Sequence, residues 1–293
     1  MKIKFKIEND YDRSTFSKKG GNEMIKGAIY GLAVGDALGV PYEFKARDTF
    51  KCVDMVGYGT YGKPAGTWSD DTSMVLATCD SLRRCGGVDC EDMMSRFADW
   101  YFNGAYTARG DTFDVGITTQ TAIVRYKRGI PATACGLDNN MAQGNGGLMR
   151  ILPLAFIDCT DEEIMDVCGL THAHRTPKAL CVEYIRIARR LIKGESIPDV
   201  LAAWRVSCPR DSIKSTGYVV DTMEAALWCL ANTTNYKDCV LTAVNLGNDT
   251  DTVAAVAGGL AGIVYGFDSI PKEWVEKLAN KQLIDECIGG MGN

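Results

Sequence analysis

Two short runs of acids and hydroxyls offer the most chemistry: Ser69-Asp70-Asp71-Thr72 ahead of the apolar run Met74 to Leu82, and Asp249-Thr250-Asp251-Thr252 ahead of Val253 to Val264. Both stand at the start of a helical pattern. Asp, Ser and Thr there satisfy free N–H groups and suit the positive end of the helix dipole, which accounts for one such run. It does not account for two, because a cap needs one side chain per helix. If the fold joins the two runs, repulsion between their carboxylates calls for divalent cations. An oxygen-only donor set of this kind suits Mg²⁺, Mn²⁺ or Ca²⁺ rather than zinc.

Motifs that ionise a diphosphate on magnesium are excluded by spacing. A D-D-x-x-D run from Asp70 needs an acid where Met74 stands, and an N-D-x-x-S/T-x-x-x-E run from Asn248 needs Glu where Val256 stands. Zinc and structural disulfides are equally unexpected. The 293 residues include 12 cysteines but no C-x-x-C, and only two histidines, His172 and His174. The thiols read as reduced core residues of a cytoplasmic protein, since the N-terminus has no apolar signal core. A formal charge of −5 without a basic block argues against nucleic acid, and the longest nearly apolar stretch, Val253 to Phe267, is too short to span a bilayer.

The elements that must position the acids are helical. Ile25, Ala28, Ile29 and Leu32 share a face, and Gly27, Gly31, Gly35 and Gly39 leave a smooth stripe against which another backbone can pack closely. Further helices are expected around Met93 to Tyr101, after the capping box Thr160/Glu163, from Thr176-Pro177 to Gly194, over Val219 to Leu230 and over Val253 to Val264. The class expected is all-α, with one domain over residues 21–293 after an N-terminal extension, residues 1–20, whose KIKFKI alternation suits a short strand or a tail. Gly144 to Gly147 is neither a Walker loop nor a dinucleotide fingerprint, yet bare backbone there can approach a phosphate.

In chain order the sequence carries Gly35-Asp36-Ala37-Leu38-Gly39 with Pro41-Tyr42-Glu43, Ser69-Asp70-Asp71-Thr72, Phe113-Asp114-Val115-Gly116, Gly144-Asn145-Gly146-Gly147-Leu148-Met149-Arg150, Thr171-His172, and Gly247-Asn248-Asp249-Thr250-Asp251-Thr252. In these motifs and their order the chain resembles the ADP-ribosylglycohydrolase family, which includes dinitrogenase reductase-activating glycohydrolases and eukaryotic ADP-ribosyl-acceptor hydrolases. The resemblance implies an all-α enzyme with two Mg²⁺ or Mn²⁺ ions at the base of an ADP-ribose cleft, acting on an ADP-ribosylated protein or small conjugate. Carried over by position, the metal ligands are Ser69, Asp70, Asp71, Asp249, Asp251 and Thr252, with Asp251 bridging. Catalysis falls to Glu43, Asp70, Asp71 and Asp251, with Glu43 as a gate or acid–base residue on a mobile flap. The substrate contacts are Asp114, Gly116, Gly144, Asn145, Gly146, Gly147, His172 and Tyr218.

Read without the resemblance, Glu43 is a solvated loop acid, Asp114 a turn cap, His172 a surface or capping residue and Tyr218 a core tyrosine. Asp36 reads as structural. The family more often has Thr at Ser69 and Gly at Asn248, which puts the second acidic turn in question. Arginine-linked ADP-ribose is favoured over serine-linked. The contrasting reading is a non-catalytic, crystallin-like or ADP-ribose-binding relative, which should have lost ligands; here all six positions carry oxygen side chains.

Overall fold

The computed structural model describes residues 18–291, so the KIKFKI segment lies outside the described residues. Among the described residues there are twelve α-helices, short 3₁₀ turns and no strand, only two isolated bridges. The all-α expectation holds. In chain order the helices are α1 (Lys18–Gly39), α2 (Asp70–Cys85), α3 (Cys90–Asn103), α4 (Ile117–Lys127), α5 (Asp161–Gly169), α6 (Arg175–Ile192), α7 (Ile197–Val200), α8 (Val219–Ala231), α9 (Tyr236–Val244), α10 (Thr250–Tyr265), α11 (Lys272–Lys277) and α12 (Lys281–Ile288). The first opens at Lys18, inside the stretch assigned to the extension.

The glycine stripe builds the centre. From Gly27 to Gly39 every residue of α1 is buried, as is every residue of α10 from Thr250 to Ile263. The two helices run antiparallel with their backbones in contact. A Cβ at Gly27, Gly31 or Gly35 would lie 2.1–2.5 Å from the carbonyl oxygen of Gly262, Gly258 or Ala254 respectively. The small residues of α10 return the fit, since a Cβ at Gly258 or Gly262 would meet the oxygen of Gly31 or Gly27 at 2.0–2.3 Å. No larger side chain fits at these positions without separating the helices. Around this pair α8 and α9 pack on α10, α2 packs on α3 and α12, and α5 on α6, all sharing one apolar core.

Local signals place the other helices as expected. Thr160 and Glu163 form the reciprocal capping box of α5. The α6 cap is His174, whose Nδ1 accepts from the Thr176 N–H at 3.2 Å, two residues before the Thr176 that Thr176-Pro177 suggests. Cys85 is exposed and Cys90 and Cys208 are partly exposed; the other nine cysteines are buried and none is bridged. No helix among the described residues is long and apolar enough to cross a membrane.

Candidate active site

Helix α1 sets the position of both acidic runs. Near its C-terminus the buried Asp36 accepts from the Ser69 N–H at 2.9 Å, the Thr72 N–H at 3.0 Å and the Thr72 hydroxyl at 2.6 Å. This carboxylate takes the free donors of the first turn of α2 and fixes the direction in which Asp70 and Asp71 leave it. Ser69 is the N-cap and accepts from the Asp71 N–H at 3.3 Å. The last stripe residue, Gly39, touches the start of α10: a Cβ there would lie 2.3 Å from the Asp251 Cα, and Gly39 O accepts the Thr250 hydroxyl at 2.8 Å. Asp36 therefore holds α2 in place.

The two runs meet. Asp36, Asp71 and Asp251 present carboxylate oxygens within 4.8 Å of one another, and Glu43, Asp249 and Asp251 form a second such group, with Asp251 common to both. Ser69, Asp70, Asp71, Asp251 and Thr252 are buried, and Asp249 is half-buried. Burial first, and neighbouring carboxylates second, push Asp70, Asp71 and Asp251 far above the usual carboxylate range. Three oxygens in the cluster, Asp71 Oδ1, Asp249 Oδ1 and Asp251 Oδ2, are buried without a hydrogen-bond partner. Buried acceptors that go unsatisfied cost stability, and carboxylates clustered in this way repel. Oxygen-only donors with unused lone pairs fit hard divalent cations. No lysine or arginine is paired with Asp70, Asp71, Asp249 or Asp251 among the described residues.

The second acidic turn is shaped by left-handed backbone at Gly247 (φ +76) and Asn248 (φ +61). Asparagine is among the side chains that tolerate this region best, so Asn248 can hold the turn without a glycine. The turn is tied to the Glu43 loop by paired backbone bonds, Phe44 N–H to Asn248 O at 2.7 Å and Asn248 N–H to Lys45 O at 2.8 Å. Asn145 supports the turn from the other side. Its amide donates to Asp249 Oδ2 at 2.7 Å and Thr222 Oγ1 at 2.9 Å, which leaves Asp249 Oδ1 as the open oxygen.

Glu43 is buried, not a solvated loop acid. Phe44, itself left-handed at φ +63, turns the chain immediately after it. Tyr61, which stands in no motif and lies in the glycine-rich connection between Gly57 and Gly66, places its hydroxyl 2.6 Å from Glu43 Oε2 and 2.6 Å from Asp114 Oδ1. Burial and the nearby Asp114 charge push Glu43 up to about 9. It is a carboxyl able to carry a proton at neutral pH.

The glycine-rich segment forms the adjoining wall. Asn145 N–H donates to Gly217 O at 3.1 Å and Val219 N–H to Gln143 O at 3.1 Å, so Gly144 lies across from Tyr218, which is 41% exposed and hence not a core tyrosine. His172 is buried, with Nδ1 2.8 Å from the Thr171 hydroxyl. Burial and the Arg150 charge push it down to about 3, so it is neutral. Its ring lies against the glycines: a Cβ at Gly146 would come within 2.7 Å of His172 Cε1. Beneath them the fully buried Arg150 donates to Gly146 O and, at 2.9 Å, to Val167 O. Gly116, exposed, caps α4 two residues beyond Asp114.

The ADP-ribosylglycohydrolase profile matches residues 20–291. The chain belongs to that family, a family of enzymes. It is 35% identical over 283 residues to the ADP-ribosylarginine hydrolase Tri1 of Serratia proteamaculans, covering 89% of this chain and 77% of that protein. To the ADP-ribosyl-[dinitrogen reductase] glycohydrolase of Rhodospirillum rubrum it is 34% identical, covering 89% and 92% respectively. A solved structure described as an ADP-ribosylglycohydrolase-related protein complex superposes with a TM-score of 0.78 at 31% identity, over 92% of this chain and 97% of that one.

Proposed function

We propose that the protein is a divalent-metal-dependent hydrolase that removes ADP-ribose from modified arginine. The observation that carries this reading is the pair of carboxylate groups sharing Asp251, with three buried oxygens left unpartnered. The closest functional support is that relatives at 35% identity are named ADP-ribosylarginine hydrolases. Ser69, Asp70, Asp71, Asp249, Asp251 and Thr252 would hold two Mg²⁺ or Mn²⁺ ions. The chemistry such ions supply when bound is Lewis-acid polarisation of oxygen at the distal ribose.

The chain's own residues do the rest. Gly144, Gly146 and Gly147 admit the ligand's phosphates to bare backbone, with neutral His172 packed behind them and Tyr218 on the rim. Gly116 and Asp114 face the distal ribose. Glu43, held protonated by burial and by Asp114, delivers a proton to the guanidine nitrogen as its bond to C1″ breaks, and recovers one from the incoming water. A guanidinium is planar and cationic, and the carboxylate of Asp114 beside Glu43 suits it better than a neutral serine ether.

The test is hydrolysis of ADP-ribosyl-arginine and ADP-ribosyl-serine peptides at equal concentration, with magnesium and after exhaustive EDTA. Faster arginine cleavage that vanishes with EDTA is expected. Equal rates would remove the acceptor assignment, and activity that survives chelation would remove the metal.

A further inference from the structure

The residue that links Glu43 and Asp114 is Tyr61, and its setting explains why it can. Gly59 lets this loop lie directly on the Glu43 segment: a Cβ at Gly59 would lie 1.9 Å from Pro41 O. Thr60 then anchors the loop, donating its N–H to Pro41 O at 3.1 Å and its hydroxyl to Glu43 O at 2.8 Å. Tyr58 N–H to Lys63 O at 2.6 Å closes the turn on the far side of Tyr61. On its other side the Tyr61 ring packs against Phe113, with centroids 5.0 Å apart, and Lys63 lies over the Phe113 ring. The residue is thus fastened by backbone to the segment carrying Glu43 and by its ring to the neighbour of Asp114.

We infer that Tyr61 is a positioning residue for the hydrolysis, holding the Glu43 carboxyl over the shared carboxylate cluster and at a fixed distance from Asp114. This rests on the hydrolase reading above. Two contacts of 2.6 Å from one hydroxyl hold Glu43 Oε2 and Asp114 Oδ1 to a single oxygen atom. A hydroxyl carries one proton, so it donates to one carboxyl oxygen at a time while keeping both within hydrogen-bond reach. Without the bridge, two acids at this separation repel, and the Glu43 side chain regains its rotamers. Tyr61 touches neither backbone of the glycine-rich wall nor the buried acids of α2 and α10 through any hydrogen bond. Its effect on the reaction passes through Glu43.

The experiment is a double-mutant cycle in steady-state kinetics on ADP-ribosyl-arginine with saturating magnesium, using wild type, Tyr61→Phe, Glu43→Gln and the double variant. Tyr61→Phe keeps the ring against Phe113 and deletes only the hydroxyl. It is expected to lower kcat about tenfold or more while KM stays within about twofold, as loss of a hydrogen bond to an ionisable partner predicts. In the Glu43→Gln background the same change should lower kcat by less than about twofold, because the group it positions no longer acts. Unchanged kcat in Tyr61→Phe, or losses that multiply in the double variant, would overturn the inference while leaving the hydrolase reading intact. A wild-type enzyme that cleaves no arginine-linked conjugate overturns the hydrolase reading and this inference with it.

Discussion

Replacing Gly39 by alanine perturbs the site without touching a proposed ligand side chain. Gly39 has φ −78 and ψ −39, a conformation that alanine adopts freely, so any cost is steric. Its Cβ would stand 2.3 Å from Asp251 Cα, 2.4 Å from Asp251 N and 2.5 Å from Thr250 C. Carbon atoms rest at about 3.5–4.0 Å, so the start of α10 must retreat by roughly 1 Å. All three obstacles are backbone, which cannot rotate aside. Overpacking of this kind costs roughly 1–3 kcal/mol, partly offset by the better helix propensity of alanine, about 1 kcal/mol at most. A fall in Tm of a few degrees, roughly 3–8 °C, is expected. Turnover should fall further than stability does, since a misplacement of about 1 Å in a catalytic constellation can cost about a hundredfold. The assay is thermal unfolding with and without magnesium beside kcat on ADP-ribosyl-arginine, with Gly87→Ala as control because a Cβ at Gly87 meets nothing within 4 Å. If Gly39→Ala keeps its Tm, the close approach of α1 to α10 is wrong. If it loses stability but keeps full turnover, α1 does not set the position of Asp251.

Two further outcomes follow from the charges. Asp251→Asn should abolish the magnesium-dependent rise in Tm and hydrolysis, yet in EDTA it should melt at or above wild type, because it removes a fully buried carboxylate crowded by like charges; a magnesium response of wild-type size in the variant would refute the bridging role. At the far end of α2, Asp80 accepts from Arg83, Arg84 and Arg96 at 2.6–2.9 Å, and these bonds outweigh its burial and hold its carboxyl below the usual range. A depressed carboxyl stabilises the fold above its unfolded pKa and ceases to as pH falls through its folded value, so Asp80→Asn should cost about 2 kcal/mol near neutrality and progressively less below about pH 4. A gap in denaturant midpoint that stays constant with pH would show that the arginines do not act through its charge.

The fold was legible where local rules were strong. The glycine stripe required a close backbone partner, and α10, the most apolar helix with its own Gly258 and Gly262, is that partner. Capping chemistry located α5, and the acidic runs located the first turns of α2 and α10. Other elements left little trace. Helix α4, ITTQTAIVRYK, is rich in β-branched residues that favour strands, and tertiary packing of Ala122 and Ile123 overrides that preference. Helices α11 and α12 are only six and eight residues long, too short for a clear periodic pattern.

Within the site, the acids that the sequence made conspicuous are the ones the fold brings together, because a buried carboxylate at a helix start needs a reason beyond capping. The residues that orient them were not conspicuous. Asn145 looked like a ligand contact in a phosphate-type loop, yet its amide is committed to Asp249 and Thr222. Asp36 reads as structural, but nothing local names its partners, the three donors in the first turn of α2. Tyr61 belongs to no acidic run and no helix. Such residues act across long stretches of chain, with separations of 18 from Tyr61 to Glu43, 33 from Asp36 to Ser69 and 104 from Asn145 to Asp249. No local period or cap encodes a partner at that range. What a single sequence can display is which groups must be held; which groups do the holding is decided by where the stripe of α1 delivers the two helix starts, and it takes the folded backbone to see it.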